Sequence, residues 1–283
     1  MKFPLDQRLL PFFGRTDTAV ILGSGLSGIE SSVNSVKSLL FEEIPGFRMP
    51  SVEGHPGRML LVREGRSPIL LFAGRVHLYE RPGDHERSGD KIGSEDGDDH
   101  PCTAAVRLAS ILGCTRLLLT QAAGSLRRDL GIGSWMLAED IVSLPQWAMR
   151  EAAPYGRSAG EDISNVLPGK LITEEFRRRI AGAAMKAGIE IFNGTLFWTT
   201  GPCYETPAEA RMARYMGADA ATMSPLPELL AARKLGLAAS CLSRISNFAP
   251  NISSEGVIKH GNIVDMGLAA AADLLAVIRG LSG

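Results

Sequence analysis

Short runs of apolar, β-branched residues alternate with amphipathic stretches along this 283-residue chain. The apolar runs predict strands over 18–23, 59–64, 68–74, 115–121, 189–200 and 236–246. The amphipathic stretches predict helices over 102–112, 173–187, 206–216, 226–235 and 263–280. Because alternating strands and helices fold as helices packed on a sheet, we expect an α/β fold in which helices flank a central mixed sheet. No repeat of fixed period is visible, so we expect one domain over 1–283.

Composition and charge exclude several classes of protein. Thirty basic residues nearly balance 31 acidic ones, so nucleic acid and anionic membranes are not expected as main partners. No run approaches 18 apolar residues and the N-terminus does not resemble a signal peptide, so a cytoplasmic protein is expected. Cys102, Cys114, Cys203 and Cys241 are scattered without metal-ligand spacing, which predicts reduced thiols and no metal site.

The segment 81–100 differs from the rest of the chain. It holds seven acidic residues and four glycines, with Ile92 as its only sizeable apolar side chain. A segment that can bury so little is predicted to be a flexible loop. It is either a lid over a site that begins at Tyr79 or a solvated insertion without a role. A second irregular connection is expected over 145–170.

The sequence AGRVHLYE, residues 73–80, follows an apolar run that begins at Ile69. If the strand continues, alternation places Arg75, His77 and Tyr79 on one face. A cation, an imidazole and a phenol would then share one surface.

The sequence GSGLSG, residues 23–28, follows the first strand and matches a dinucleotide-binding glycine pattern. The acidic residue that should end a second strand is missing, because Glu42 and Glu43 precede IPG instead. The alternative is a tight turn in which backbone N–H groups and the Ser24 hydroxyl hold a smaller anion.

Two proline-containing segments predict helix starts. Thr206, Pro207 and Glu209 form a capping box that starts a helix at about residue 207, so Glu205 lies in the loop before it and Tyr204 offers a face for stacking. Ser224 before Pro225 predicts an N-cap, either simply as a cap or as part of an anion site.

Asn247 lies at the end of the last apolar run, in LSRISNFAP. Its amide can donate and accept, which suits a heterocycle with a carbonyl beside a ring nitrogen, although a turn-forming role is the alternative. His55 and His260 are each more often structural than functional in such a context.

Taken together, these motifs resemble the trimeric purine nucleoside phosphorylases along most of the chain. The similar segments are GSGLSG, EGHPGR (53–58), AGRVHLYE, TQAAGSLRRDLGIGSWMLAEDIVSLP (120–145), GPCYETPAEARMARYMGADAATMSPLPE (201–228) and RISN (244–247). The resemblance implies a phosphorylase/hydrolase-like fold and an enzyme of purine salvage, a pentosyltransferase. Inorganic phosphate would attack C1′ of a purine nucleoside and release the free base and α-ribose 1-phosphate. A homotrimer is expected, with phosphate as co-substrate and no cofactor.

The resemblance also implies roles for individual residues. Phosphate would be held by Ser24, His55, Arg75, His77, Ser224 and the backbone N–H of Ala122. The ribose would be enclosed by Tyr79, Tyr204, Met223 and His260. The purine would be bound by Tyr204, Glu205, Ser246 and Asn247. His77, Glu205 and Asn247 are the expected catalytic residues.

An asparagine at position 247 favours 6-oxopurines such as inosine and guanosine, because related methylthioadenosine phosphorylases have an aspartate there that suits a 6-aminopurine. The chain departs from the family pattern at Gln121, Ser125, Thr222 and Pro225, and the family's phenylalanine-rich loop has no clear match in 145–170. The sequence AGSL at 123–126 is closer to the methylthioadenosine phosphorylase branch of the family. The alternatives are therefore a methylthioadenosine phosphorylase-like activity, a non-catalytic nucleoside-binding homologue and, less favoured, an NAD-dependent oxidoreductase.

Overall fold

A computed structural model describes residues 7–12, 14–52, 54–80, 101–144, 170–252 and 260–282. Within these ranges the strands are β1 Thr18–Leu22, β2 Ser35–Leu40, β3 Arg58–Val62, β4 Ile69–Ala73, β5 Arg116–Ser125, β6 Trp135–Val142, β7 Ile191–Trp198, β8 Ala220–Thr222 and β9 Ala238–Phe248. The α-helices are α1 Ala104–Ile111, α2 Glu174–Lys186, α3 Pro207–Tyr215, α4 Leu226–Lys234 and α5 His260–Leu281.

The strands form one mixed sheet in the order β2-β3-β4-β1-β5-β8-β7-β6-β9. Strands β4, β1, β5 and β9 run parallel, whereas β8 pairs antiparallel with β5. Strand β9 pairs with both β6 and β5, so it closes five of the strands into a barrel. The carboxyl ends of β1, β4, β5 and β9 consequently meet at one side of the sheet, where open α/β sheets commonly bind ligands.

Helices cover the sheet on both faces, and the alternation within β1 shows how. Ala19 and Ile21 belong to the apolar core that includes α1 and α4, whereas Val20 and Leu22 belong to the core that includes α2 and α5. All five residues of β1 are buried. A strand covered on both faces is expected to be apolar nearly throughout, which explains the unbroken run AVIL after Thr18.

The predicted α/β architecture with a mixed sheet is confirmed. Each of the six predicted strands and five predicted helices is present, with ends shifted by a few residues. The capping box is also confirmed, because the Thr206 side chain accepts a hydrogen bond from the Glu209 N–H and α3 begins at Pro207. No helix in the described ranges is long and apolar enough to cross a membrane.

The prediction that a strand continues through AGRVHLYE was wrong. Strand β4 ends at Ala73, and Gly74 has a φ of +110°. A Cβ at Gly74 would lie 2.9 Å from the Cβ of His55, so the chain turns where only glycine fits. Arg75, His77 and Tyr79 therefore do not share a strand face.

The predicted N-cap at Ser224 was also wrong. Helix α4 begins at Leu226, and Pro225 occupies the N-cap position. Ser224 lies one residue earlier, in the loop that follows β8. Two sequence predictions, the acidic loop 81–100 and most of the irregular connection 145–170, lie outside the described residues.

Candidate active site

A cavity of about 330 Å³ opens where the carboxyl ends of the parallel strands meet. Its walls come from segments that directly follow β1, β4, β7 and β8 and from the last residues of β5 and β9. Ten of the residues predicted from the sequence line it: Ser24, His77, Tyr79, Ala122, Tyr204, Glu205, Met223, Ser224, Ser246 and Asn247. The volume suits a small ligand such as a nucleoside with an anion.

His77 is held in place by Glu80. The Glu80 carboxylate lies 3.1 Å from Nδ1 of His77 and accepts the His77 backbone N–H at 2.5 Å, and its other oxygen accepts the N–H and hydroxyl of Ser51. Burial alone would raise the pKa of Glu80, but these hydrogen bonds from His77 and Ser51 lower it to about 2. An ionised carboxylate only accepts, so Nδ1 of His77 carries the proton and Nε2 is left for a ligand.

Ser24 is oriented by a second histidine. The Arg75 backbone N–H donates to Nδ1 of His55 at 3.3 Å, and Nε2 of His55 lies 3.0 Å from the Ser24 hydroxyl oxygen. Because Nδ1 accepts, the neutral ring carries its proton on Nε2 and donates to Ser24. The Ser24 hydroxyl proton is then available for an anion in the cavity. His55 itself is buried and does not line the cavity.

Arg75 lies behind the cavity wall. Its side chain is 2% exposed, and Nη2 donates to the carbonyl oxygen of Thr120 at 2.8 Å. Its Nε lies 3.3 Å from Oε1 of Glu228, whose side chain is 4% exposed. The guanidinium therefore forms a buried ion pair instead of lining the cavity, and direct contact with phosphate stays a prediction.

Tyr79 and Met223 both line the cavity. The Tyr79 ring stacks on His77, with centroids 5.1 Å apart and an angle of 17° between the planes. Burial, with the Glu80 charge as a smaller contribution, raises the pKa of Tyr79 to about 12. The phenol is therefore neutral at physiological pH and can donate a hydrogen bond to a ligand hydroxyl.

Tyr204 and Glu205 lie in the loop between β7 and α3. Burial raises the pKa of Glu205, and the nearby Glu209 charge raises it further. Burial also raises the pKa of Tyr204. Both residues, with Thr199, also line a second cavity of about 330 Å³. A ligand in the first cavity can therefore contact both side chains.

Asn247 presents half of its amide to the cavity. Its Oδ1 accepts the Ser246 hydroxyl at 2.7 Å, and its Nδ2 donates to the carbonyl oxygen of Phe248 at 3.1 Å. These contacts use one N–H and one lone pair and hold the amide in a single orientation. One N–H and one lone pair are left for a heterocycle.

Gly124 faces Asn247 across the β5–β9 pair, and a Cβ at Gly124 would lie 3.0 Å from Nδ2 of Asn247. Gly124→Ala is therefore expected to displace the amide and, for the nucleoside and phosphate that the resemblance implies as substrates, to raise the KM for the nucleoside more than the KM for phosphate. Steady-state kinetics with each substrate varied would measure this difference. Gly131→Ala is the matched control, since a Cβ there meets nothing within 4 Å. Equal kinetics for the two variants would contradict the close contact.

Sequence reasoning gave no site role to the polar lining residues Gln121, Thr199 and Thr222. It also did not identify three polar residues behind the lining: Ser51, Glu80 and Glu228. The spacing of His77 and Glu80 could have indicated their pairing, but Ser51 and Glu228 are distant in sequence. His260 begins α5, and its side chain lies outside the described residues, so its ribose-binding role stays a prediction. Among the residues with described side chains, no three His, Cys, Asp or Glu residues cluster as a metal site requires.

Comparison with known proteins gives a consistent result. Residues 17–281 match the profile of the phosphorylase superfamily. The chain is 32% identical to a purine nucleoside phosphorylase of Mycobacterium tuberculosis over 271 residues, which cover 94% of this chain and 88% of that protein. It is 30% identical to that of Rattus norvegicus, with 92% and 86% covered. A purine nucleoside phosphorylase of Schistosoma mansoni, solved with adenosine, has the same fold, with a TM-score of 0.74, 23% identity and 94% and 91% covered.

Proposed function

The chain belongs to the phosphorylase superfamily and, within it, to the purine nucleoside phosphorylases, and from this premise we propose that its cavity cleaves 6-oxopurine nucleosides such as inosine and guanosine. Inorganic phosphate attacks C1′, the bond to the purine nitrogen breaks, and the products are the free base and α-ribose 1-phosphate. One observation carries the proposal: a single cavity joins an anion-binding end, at Ser24, His77 and Ser224, to an amide and a carboxylate, at Asn247 and Glu205.

The anion-binding end suits phosphate. The Ser24 hydroxyl is free to donate because His55 supplies the proton that Ser24 accepts. His77, whose Nδ1 is held by the ionised Glu80, lies at the same end. Ser224 adds a third polar side chain to this wall. A phosphate held here is already positioned as nucleophile, so proximity replaces a bimolecular encounter.

The sugar and the base become oppositely charged as the glycosidic bond breaks. The ribose develops oxocarbenium character while electrons flow into the purine. Bound phosphate stabilises the positive charge on the sugar, and Tyr79 and Met223 would enclose the ribose between the two ends. Asn247 donates to the purine as its negative charge grows, so this interaction strengthens toward the transition state.

Specificity for 6-oxopurines follows from the donors and acceptors at the base end. The Asn247 amide offers one free N–H, which can donate to a 6-oxo group or to the unprotonated N7 beside it. The Glu205 carboxylate can accept from the purine N1–H and from the 2-amino group of guanine. A 6-aminopurine has no N1–H and presents a donor at position 6, so it loses both matches.

A substrate panel tests the specificity. We expect inosine and guanosine to have a higher kcat/KM than adenosine and methylthioadenosine at saturating phosphate. Asn247→Asp is expected to shift the inosine-to-adenosine ratio of kcat/KM toward adenosine, because a carboxylate accepts from the 6-amino group. Asn34→Asp, at an exposed position, is the control. An unchanged ratio in Asn247→Asp would remove Asn247 from the specificity argument.

The same panel tests the alternative of a methylthioadenosine phosphorylase-like enzyme. One sequence observation favours it, namely the sequence AGSL at 123–126. Its serine, Ser125, is buried in β5, and the Ser125 hydroxyl donates to the carbonyl oxygen of Arg127. A preference for methylthioadenosine would support this alternative, and no turnover of any nucleoside would support a non-catalytic homologue.

The biological setting is part of the proposal. Purine salvage in the cytoplasm is the expected role, since phosphorolysis returns a nucleoside to a reusable base. A homotrimer is the expected assembly, and sedimentation at the mass of three 30.3 kDa chains would support it.

A further inference from the structure

Two opposite charges, on Arg75 and Glu228, are buried together behind the part of the cavity lining that contains Gln121 and Ser224, called here the cavity floor. The Arg75 and Glu228 side chains are 2% and 4% exposed, and Nε of Arg75 lies 3.3 Å from Oε1 of Glu228. Burying a charge is costly unless a partner of opposite sign lies close by. Each of these residues is therefore the main reason that the other can stay charged inside the protein.

The Arg75 guanidinium lies close to the cavity. Its Nη2 donates to the carbonyl oxygens of Thr120, at 2.8 Å, and of Ile21, at 3.4 Å. Gln121, the residue after Thr120, lines the cavity. Within the described structure, Nη1 of Arg75 and Oε1 of Glu228 are both buried without a hydrogen-bond partner. The pair is thus close in distance but incompletely hydrogen-bonded.

Glu228 is connected to the phosphate end of the cavity along the chain. It lies in the first turn of α4, four residues after Ser224, which lines the cavity. Burial raises the pKa of Glu228, while the charges of Arg75 and His77 oppose that rise. The carboxylate therefore lies within electrostatic reach of Arg75 and His77, both of which the family resemblance assigns to phosphate.

We propose that Glu228 is a positioning residue of the phosphate site, whose carboxylate holds Arg75 in a neutral pair below the floor and so limits how strongly the cavity attracts phosphate. The proposal rests on the proposed function, because it takes phosphate as the anion. A guanidinium without its carboxylate would add one uncompensated positive charge behind the site. In a water-poor environment that charge acts strongly on a bound anion.

Glu228→Gln tests the proposal because it removes the charge and keeps the shape. We expect its KM for phosphate to fall by about three- to tenfold, as for one additional charge acting through a medium of intermediate polarity. Its KM for inosine is expected to change by less than about twofold, since the base end is separate. Phosphate should also raise the melting temperature of Glu228→Gln more than that of the wild type. Glu175→Gln, at an exposed position in the first turn of α2, is the control for net charge.

A phosphate KM that is unchanged or raised in a folded Glu228→Gln would overturn the proposal. If that variant does not fold, Glu228→Asp replaces it: its shorter carboxylate weakens the pair, so a smaller fall in phosphate KM is expected and a rise would overturn the inference. The wild type separates the two proposals. Without phosphate-dependent base release by the wild type, the proposed function fails and this inference with it, whereas an active wild type with an unaltered phosphate KM in the variants refutes the inference alone.

Discussion

Asn247→Ala is expected to lower kcat for inosine by about 10²- to 10³-fold, the effect of removing one preorganised donor to a developing negative charge. The reason is that the amide is held in one orientation by Ser246 and Phe248, with a free N–H and a free lone pair toward the cavity. No reorganisation is then needed as the purine becomes anionic. Single-turnover and steady-state measurements of base release would give the loss.

Asn34→Ala is the control for this prediction, because Asn34 is exposed beside β2. The KM for phosphate should be almost unaffected in Asn247→Ala, since Ser24, His77 and Ser224 are unchanged. A loss in kcat below about tenfold would show that the amide is not a main electrostatic partner of the leaving base.

Arg75→Met is expected to destabilise the protein by about 3–5 kcal/mol, because it leaves the Glu228 carboxylate buried without a partner. Methionine keeps most of the volume of the arginine side chain, so the lost charge dominates over the cavity left behind. Urea denaturation followed by circular dichroism would measure the free energy of unfolding. A loss below about 1 kcal/mol would indicate that the pair contributes little to the folded state.

The double variant Arg75→Met with Glu228→Leu separates stability from function. Replacing a buried ion pair by apolar residues of similar size is often neutral or stabilising. The double variant should therefore recover most of the stability lost in Arg75→Met, and its KM for phosphate should stay close to that of the wild type because a neutral pair is replaced by neutral side chains. A double variant as unstable as Arg75→Met would contradict the pairing.

The sheet and its helices could be predicted from local pattern because most of their residues are buried. The run AVIL, residues 19–22, is apolar throughout and belongs to β1, which is covered on both faces. Three strands lacked such a signal. Strand β2, SVKSLL, is exposed along most of its length, β8 has only three residues, and β6 carries Glu139 and Asp140 in its exposed half. Their pairing is decided by neighbouring strands, which a local pattern does not contain.

Site residues could be predicted where they belong to a local sequence motif, and less well where they come from segments that are distant in the chain. Ten of the residues named from the sequence line one cavity. The alternation rule failed at Gly74, because the chain turns there, and it could not show that Arg75 points into the protein. Glu228 was missed because its partner lies 153 positions away in the sequence, and the pairing exists only when the loop after β4 and α4 come together in the fold.

Phosphate dependence of base release tests the central claim most directly. Purified protein would be incubated with inosine in phosphate-free buffer and again with added phosphate, and hypoxanthine and ribose 1-phosphate would be quantified. We expect both products in equal amounts, and only when phosphate is present, because the cavity supplies phosphate as the nucleophile. Hypoxanthine release without phosphate, accompanied by free ribose, would contradict this account, as would the absence of base from every purine nucleoside supplied with phosphate.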